Sequence, residues 1–425
     1  MTKAAALFFA AVLFLAGCGS SPMVTTDLPA PAPGHWLGAQ ILQADVAAGF
    51  PLLVVDAAGR GLAAWDGEGG ISFRRFDPAT GWAPLQLIPI DGLHQSGALV
   101  MNAAGVALLV WTVRVSPTLA TVWASQFSPE SGWGPPQRLD EDDRGADFSN
   151  FWLDAAISSE GDAVVVWTAF RVYTTRFDPR AGWQRSEVLS EGPAAAPKVA
   201  MDSRGNAITV WREGTRGASA RLVAGAGWRA EEDYDRVEPS DTLRDIVPQV
   251  AVDAGGRGLL VWTRVGVRAR HFLMGTPGWG PAQALQVGSS QTYPFGLALN
   301  ERGEGVTAWA ADEACSVAVF EPPNTWRQPE RLVASDLRGA EVALDATGHR
   351  LLAYTQWDGT RDVLSARRYV PANGWGHAER IDMVGQSHFP RIVVDPGGRA
   401  LVVWAQLQPP AFTIWANRFE GGPAR

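Results

Sequence analysis

The sequence predicts an all-β protein in which eight copies of one four-stranded unit close into a ring. Three observations carry that prediction. An aromatic residue recurs at Trp65, Trp111, Trp167, Trp211, Trp262, Trp309, Tyr354 and Trp404, one copy every ~48 residues. Six residues before each aromatic stands a glycine, from Gly59 to Gly398, and three before each glycine a small polar residue, from Asp56 to Asp395. The last copy lacks its fourth strand, and a segment of the missing kind stands ahead of the first copy.

The chain opens on MTKAAALFFAAVLFLAGC. Its apolar run, Ala4 to Ala16, is shorter than the ~20 residues a membrane-spanning helix needs, so residues 1–17 read as an export signal. The end of that run, Leu15-Ala16-Gly17-Cys18, resembles the lipobox of bacterial lipoproteins. The resemblance implies that Cys18 is acylated, becomes the first mature residue and anchors the chain in a membrane. Several acyl chains hold stably where a single one is marginal. Gly19 stands where an inner-membrane retention signal usually places Asp, which favours the outer membrane in a two-membrane bacterium. Residues 18–33 are the lipidated cysteine and a small, polar, Pro-rich tether.

From residue 34 the repeat takes over. Each copy starts with a hairpin such as VAVDAGGRGLLVW, two apolar runs around a polar turn. Asp or Asn bonds its own backbone two residues on, and Gly supplies the positive φ of a tight turn. A second module follows, as in ISFRRFDPATGW: a strand ending in an aromatic, a turn, then a Trp that leads the fourth strand. That second series is Trp82, Trp133, Trp183, Trp228, Trp279, Trp326 and Trp375.

Copy eight ends at Phe419 without such a Trp, whereas GHWLGAQILQ at residues 34–43 matches GWGPAQALQ. An N-terminal strand that completes the C-terminal unit removes the exposed edges of a linear array. This pattern resembles the β-propeller superfamily: an eight-bladed propeller of four-stranded blades over residues 34–425, closed by its N-terminal strand. The WD, kelch and sialidase Asp-box signatures are absent, and no functional subfamily is indicated.

Composition narrows the partners. Thirty-six basic against 44 acidic residues give −8, which argues against a nucleic-acid partner. Two Cys exclude a disulfide framework and Cys-rich zinc sites. Only Lys3 and Lys198 are lysines, a bias read as codon usage rather than chemistry. No motif for a nucleophile, phosphate, metal or other cofactor is found. The acidic runs at residues 140–143 and 231–235 read as solvated loops, and His94 and His388 lack the placed carboxylate a metal pair would need. Cys315 reads as buried and inert.

What varies around the ring is informative. The first turn of each unit never changes length, but the second-to-third connection runs from 10 residues (Trp262 to Phe272) to 16 (Trp111 to Phe127). Unit-to-unit links vary too, and in a propeller both kinds emerge on one face. Four Trp lie outside the two series: Trp123, Trp152, Trp357 and Trp415. They fall in units 2, 3, 7 and 8, which with unit 1 make one arc of the closed ring. Trp is enriched at recognition surfaces, so these four are the candidate binding residues, with Trp152 and Trp357 ahead of Trp123 and Trp415. The expected function is a membrane-tethered, non-enzymatic binding or scaffold module for an envelope protein or peptide. A glycan-binding or glycan-processing surface protein is the alternative, and a purely structural lipoprotein the third reading.

Overall fold

A computed structural model describes residues 34–46, 50–140, 146–147, 152–236, 246–288, 292–383, 385–409 and 411–421. The export signal, Cys18, the tether and residues 141–145 lie outside the described residues. Eight antiparallel sheets follow one another around an axis as the blades of a propeller, and no helix occurs among the described residues. Blade 1 shows the plan, with Leu52–Val55 innermost, then Gly61–Gly67, Gly70–Asp77 and an outer strand in two pieces, Gly81–Trp82 and Gln86–Pro89. The expected single Trp-led fourth strand is therefore broken in most blades. The Gly-Trp pair and the later residues bind the third strand separately.

Blade 8 closes the ring as the repeat count requires. Its inner, second and third strands are Gln386–Val394, Ala400–Gln408 and Ala411–Gly421, and its outer strand is supplied by Gly34–Trp36 and Gln40–Val46. In seven blades the outer Trp packs on the aromatic that ends the third strand, as in Phe76–Trp82 at 5.1 Å and Tyr369–Trp375 at 5.5 Å. Trp36 on Phe419, at 5.4 Å, reproduces that pair between the two ends of the chain. Blade 4 lacks it because Leu222 replaces the aromatic.

The invariant turn works as its composition demands. The Asp56 carboxylate accepts the N–H groups of Ala58 and Arg60, both at 2.9 Å, and Asn300 and Asp395 act alike in their blades. All eight turn glycines have positive φ, between +78° and +92°, where a side chain would be strained. Some turns also bridge blades: the Asn102 amide donates to the Ser158 carbonyl, and that of Asn300 to the Asp345 carbonyl. The repeated polar residue is therefore structural.

Apolar burial lies between blades. Trp65, Trp111, Trp167, Trp211, Trp262, Trp309 and Trp404 are essentially inaccessible, and each packs in a cluster shared with the preceding blade. Their indole N–H groups need partners when buried. Trp65 donates to Gln43 and Trp262 to Asp235, in each case on the outer strand of the preceding blade. Arg221, Arg368 and Arg418, each just before the end of a third strand, lie over Phe272, Phe419 and Phe76 of the next blade at 5.1–5.4 Å. A planar guanidinium suits that stacking better than an ammonium.

Candidate functional site

Strand direction sorts the connections onto two faces. The Asp/Asn turns and the third-to-outer turns share one face, and the second-to-third connections and blade-to-blade links share the other. The first is the uniform face and the second the elaborated one. Several large apolar side chains stand exposed on the elaborated face, among them Leu93, Val115, Phe170 and Val287.

At the centre of this face the inner strands surround a cavity of about 420 Å³. Its walls come from blades 1, 2, 3, 7 and 8, with Phe295 from blade 6. The residue five before the turn Asp or Asn points to the axis in blade after blade: Pro51, Gly97, Leu153, Phe295, Ala340 and Pro390 all line it. Proline suits an inner strand, an edge whose outward N–H has no ladder partner to lose. This periodic position, proline in several units, was the available sequence signal for the cavity, and the Trp series overshadowed it.

The polar walls lie on blades 7 and 8. Arg391 donates to Glu341 across the two blades at 2.8 Å, and Arg338 stands 3.5 Å from Asp362. The inner-strand ladder slips between Leu337 and Gly339 and again between His388 and Arg391, bulges that re-aim side chains. Within the second, Phe389 takes φ of +52°, strained for a residue with a side chain, and its ring meets Phe50 at 4.4 Å. Burial lowers the pKa of His388, against the opposing pull of Asp362, and so favours its neutral form. Burial raises that of Glu341, while Arg391 and Lys198 pull it down. Lys198 itself lies 3.8 Å from Asp154 on blades 4 and 3, across the axis from the Arg391–Glu341 pair. Thr112, also on the wall, is buried and its hydroxyl has no hydrogen-bond partner among the described residues.

The four unrepeated Trp separate into two kinds of place. Trp152 immediately precedes the inner strand Leu153–Ile157, and its carbonyl accepts the N–H of Thr168. Trp357 ends the second strand of blade 7 and pairs with Asp362 across the hairpin. Both are half-buried at the elaborated face, next to or near the wall residues Leu153 and Thr355. Trp123 and Trp415 sit within third strands, directly across from Trp111 and Trp404. Trp415 stacks on Trp404 at 6.3 Å, and Trp123 packs against the cluster between blades 1 and 2.

Other sequence candidates settle away from the cavity. Residues 231–235 are not a solvated loop: Glu232–Arg236 form the outer strand of blade 4, and Tyr234 within it is fully buried. Arg216 binds Glu213, Glu231 and Asp233 at 2.6–3.1 Å, and Asp235 receives Trp262 and Arg264. His94 bonds the Gly92 carbonyl and is not among the residues lining the cavity, whereas His388 is. No group of three metal-ligating side chains occurs among the described residues. Burial pushes the Cys315 thiol up to about 12, so it is a protonated packing group at neutral pH.

No protein-family model matches the sequence, and no curated protein matches it significantly. Solved structures do. A protein of unknown function from Dyadobacter fermentans aligns over 92% of this chain and 99% of its own, at 12% identity and a TM-score of 0.44. A fungal alcohol oxidase of the AA5 family, in complex with copper, aligns over 91% of this chain and 76% of its own, at 11% identity and 0.49. Prolyl oligopeptidase B from Galerina marginata aligns over 84% and 55%, at 6% identity and 0.49. Likenesses this distant assign no chemistry to the chain.

Proposed function

We propose that the protein is an exported lipoprotein, acylated at Cys18 and tethered by the residues that follow, whose propeller binds an envelope protein or peptide through its elaborated face without catalysing a reaction. The observation that carries this reading is the axial cavity, which opens on the face where the connections vary. The anchor fits the same geometry. Gly34 pairs with Gly421 at the uniform-face end of blade 8, so the tether joins the ring at that rim. Fifteen tether residues, 19–33, span at most about 54 Å, at up to ~3.6 Å each.

The anchor has a direct test. Metabolic labelling with a palmitate analogue should tag the wild type and leave Cys18→Ser unlabelled, and label persisting in the variant would refute lipidation there. The glycan alternative draws on Trp152 and Trp357, half-buried near the cavity mouth, where aromatic rings could stack on sugars. A glycan array that retains wild type but not the Trp152→Ala, Trp357→Ala double variant would replace the protein or peptide assignment with that one.

A further inference from the structure

We propose that the axial cavity is a carboxylate site, shaped for the free C-terminus of a peptide whose last side chain is apolar. The inference rests on the reading that the elaborated face binds a peptide, and it names the end of the peptide that is bound. The cavity wall carries two arginines, Arg338 and Arg391, and one carboxylate, Glu341, in a protein whose net charge is −8. Asp362 stands behind that wall and meets Arg338 only at 3.5 Å. Both arginine side chains are nearly half exposed, at 45% and 46%, and each is paired with one carboxylate among the described residues, Arg338 through Nε and Arg391 through Nη1. Arginine's planar fork matches a carboxylate bidentately.

Beside these donors the wall turns apolar. Phe50 and Phe389 meet with their rings tilted yet remain 47% and 41% exposed, an open aromatic surface next to a charged one. A carboxylate beside an apolar side chain is what a peptide's last residue presents, and about 420 Å³ accommodates a residue or two.

The test is calorimetric titration of the whole protein with the dipeptide alanyl-phenylalanine, its C-terminal amide, and a glucuronate-containing disaccharide. The free acid should bind, and amidation should weaken binding by at least ~10-fold through loss of the charge-assisted bonds. In Arg338→Gln and Arg391→Gln the acid should fall to the level of the amide, whereas Arg391→Lys should keep part of the difference. Unchanged melting temperatures show that these variants are folded. Equal binding of acid and amide, or no binding of either up to ~10 mM, would overturn the carboxylate assignment. Tighter binding of the disaccharide would overturn the peptide assignment alone. None of these outcomes decides whether the elaborated face has a partner, because crosslinking from that face reads it separately.

Discussion

Deleting residues 34–44 should destabilise the protein by more than the loss of one core aromatic, itself worth ~3–5 kcal/mol. The segment supplies Trp36 against Phe419, Leu42 in the cluster between blades 8 and 1, and the Gln43 acceptor for Trp65. It also pairs the third strand of blade 8, whose edge would otherwise lie open. Deleting residues 19–30 should leave the melting temperature unchanged, since that part of the chain lies ahead of the closing strand. Thermal unfolding of the two deletions side by side is the measurement, and equal melting temperatures would refute closure by the N-terminal strand.

Trp262→Ala should lower the melting temperature sharply, and Trp152→Ala and Trp357→Ala should barely move it. Trp262 is fully buried between blades 4 and 5 and donates to Asp235 at 2.9 Å, so truncation leaves a cavity and removes one of the carboxylate's hydrogen bonds. The other two are half-buried at the elaborated face. An interface anchor costs ~2 kcal/mol or more in binding when truncated, with little effect on the free protein. The Trp152 and Trp357 variants should therefore lose partner binding while remaining as stable as wild type. A loss of stability matching that of Trp262→Ala would make these two residues core and move the site elsewhere.

The fold was legible because every blade meets its neighbour in the same way. That shared contact imposes one aromatic, one glycine and one turn-forming polar residue at fixed spacing, and Trp65 and Trp404 announce the same role 339 residues apart. Even the closure could be read, since Trp36 repeats the pattern of Trp279. The cavity was far less legible. Its chemistry depends on side chains outside the repeat pattern, Arg338 and Arg391 among them, and on residues distant in sequence, such as Phe50 and Phe389, which meet only once the ring closes. The acidic run at 231–235 misled for a related reason. Its countercharges and donors, Arg216, Arg264 and Trp262, come from other strands, so the run alone looks like solvated charge.

The central claim is that recognition belongs to the elaborated face. Photo-crosslinking in intact cells tests it most directly, with a photoreactive residue placed singly at Leu93, Phe170 or Val265 on that face, and at Ala58 or Ala254 in turns of the uniform face. The account predicts discrete crosslinked species from the first three positions that disappear in the Trp152→Ala, Trp357→Ala background, and none from the two turns. Crosslinks of equal yield from both faces, or from the uniform face alone, would contradict it.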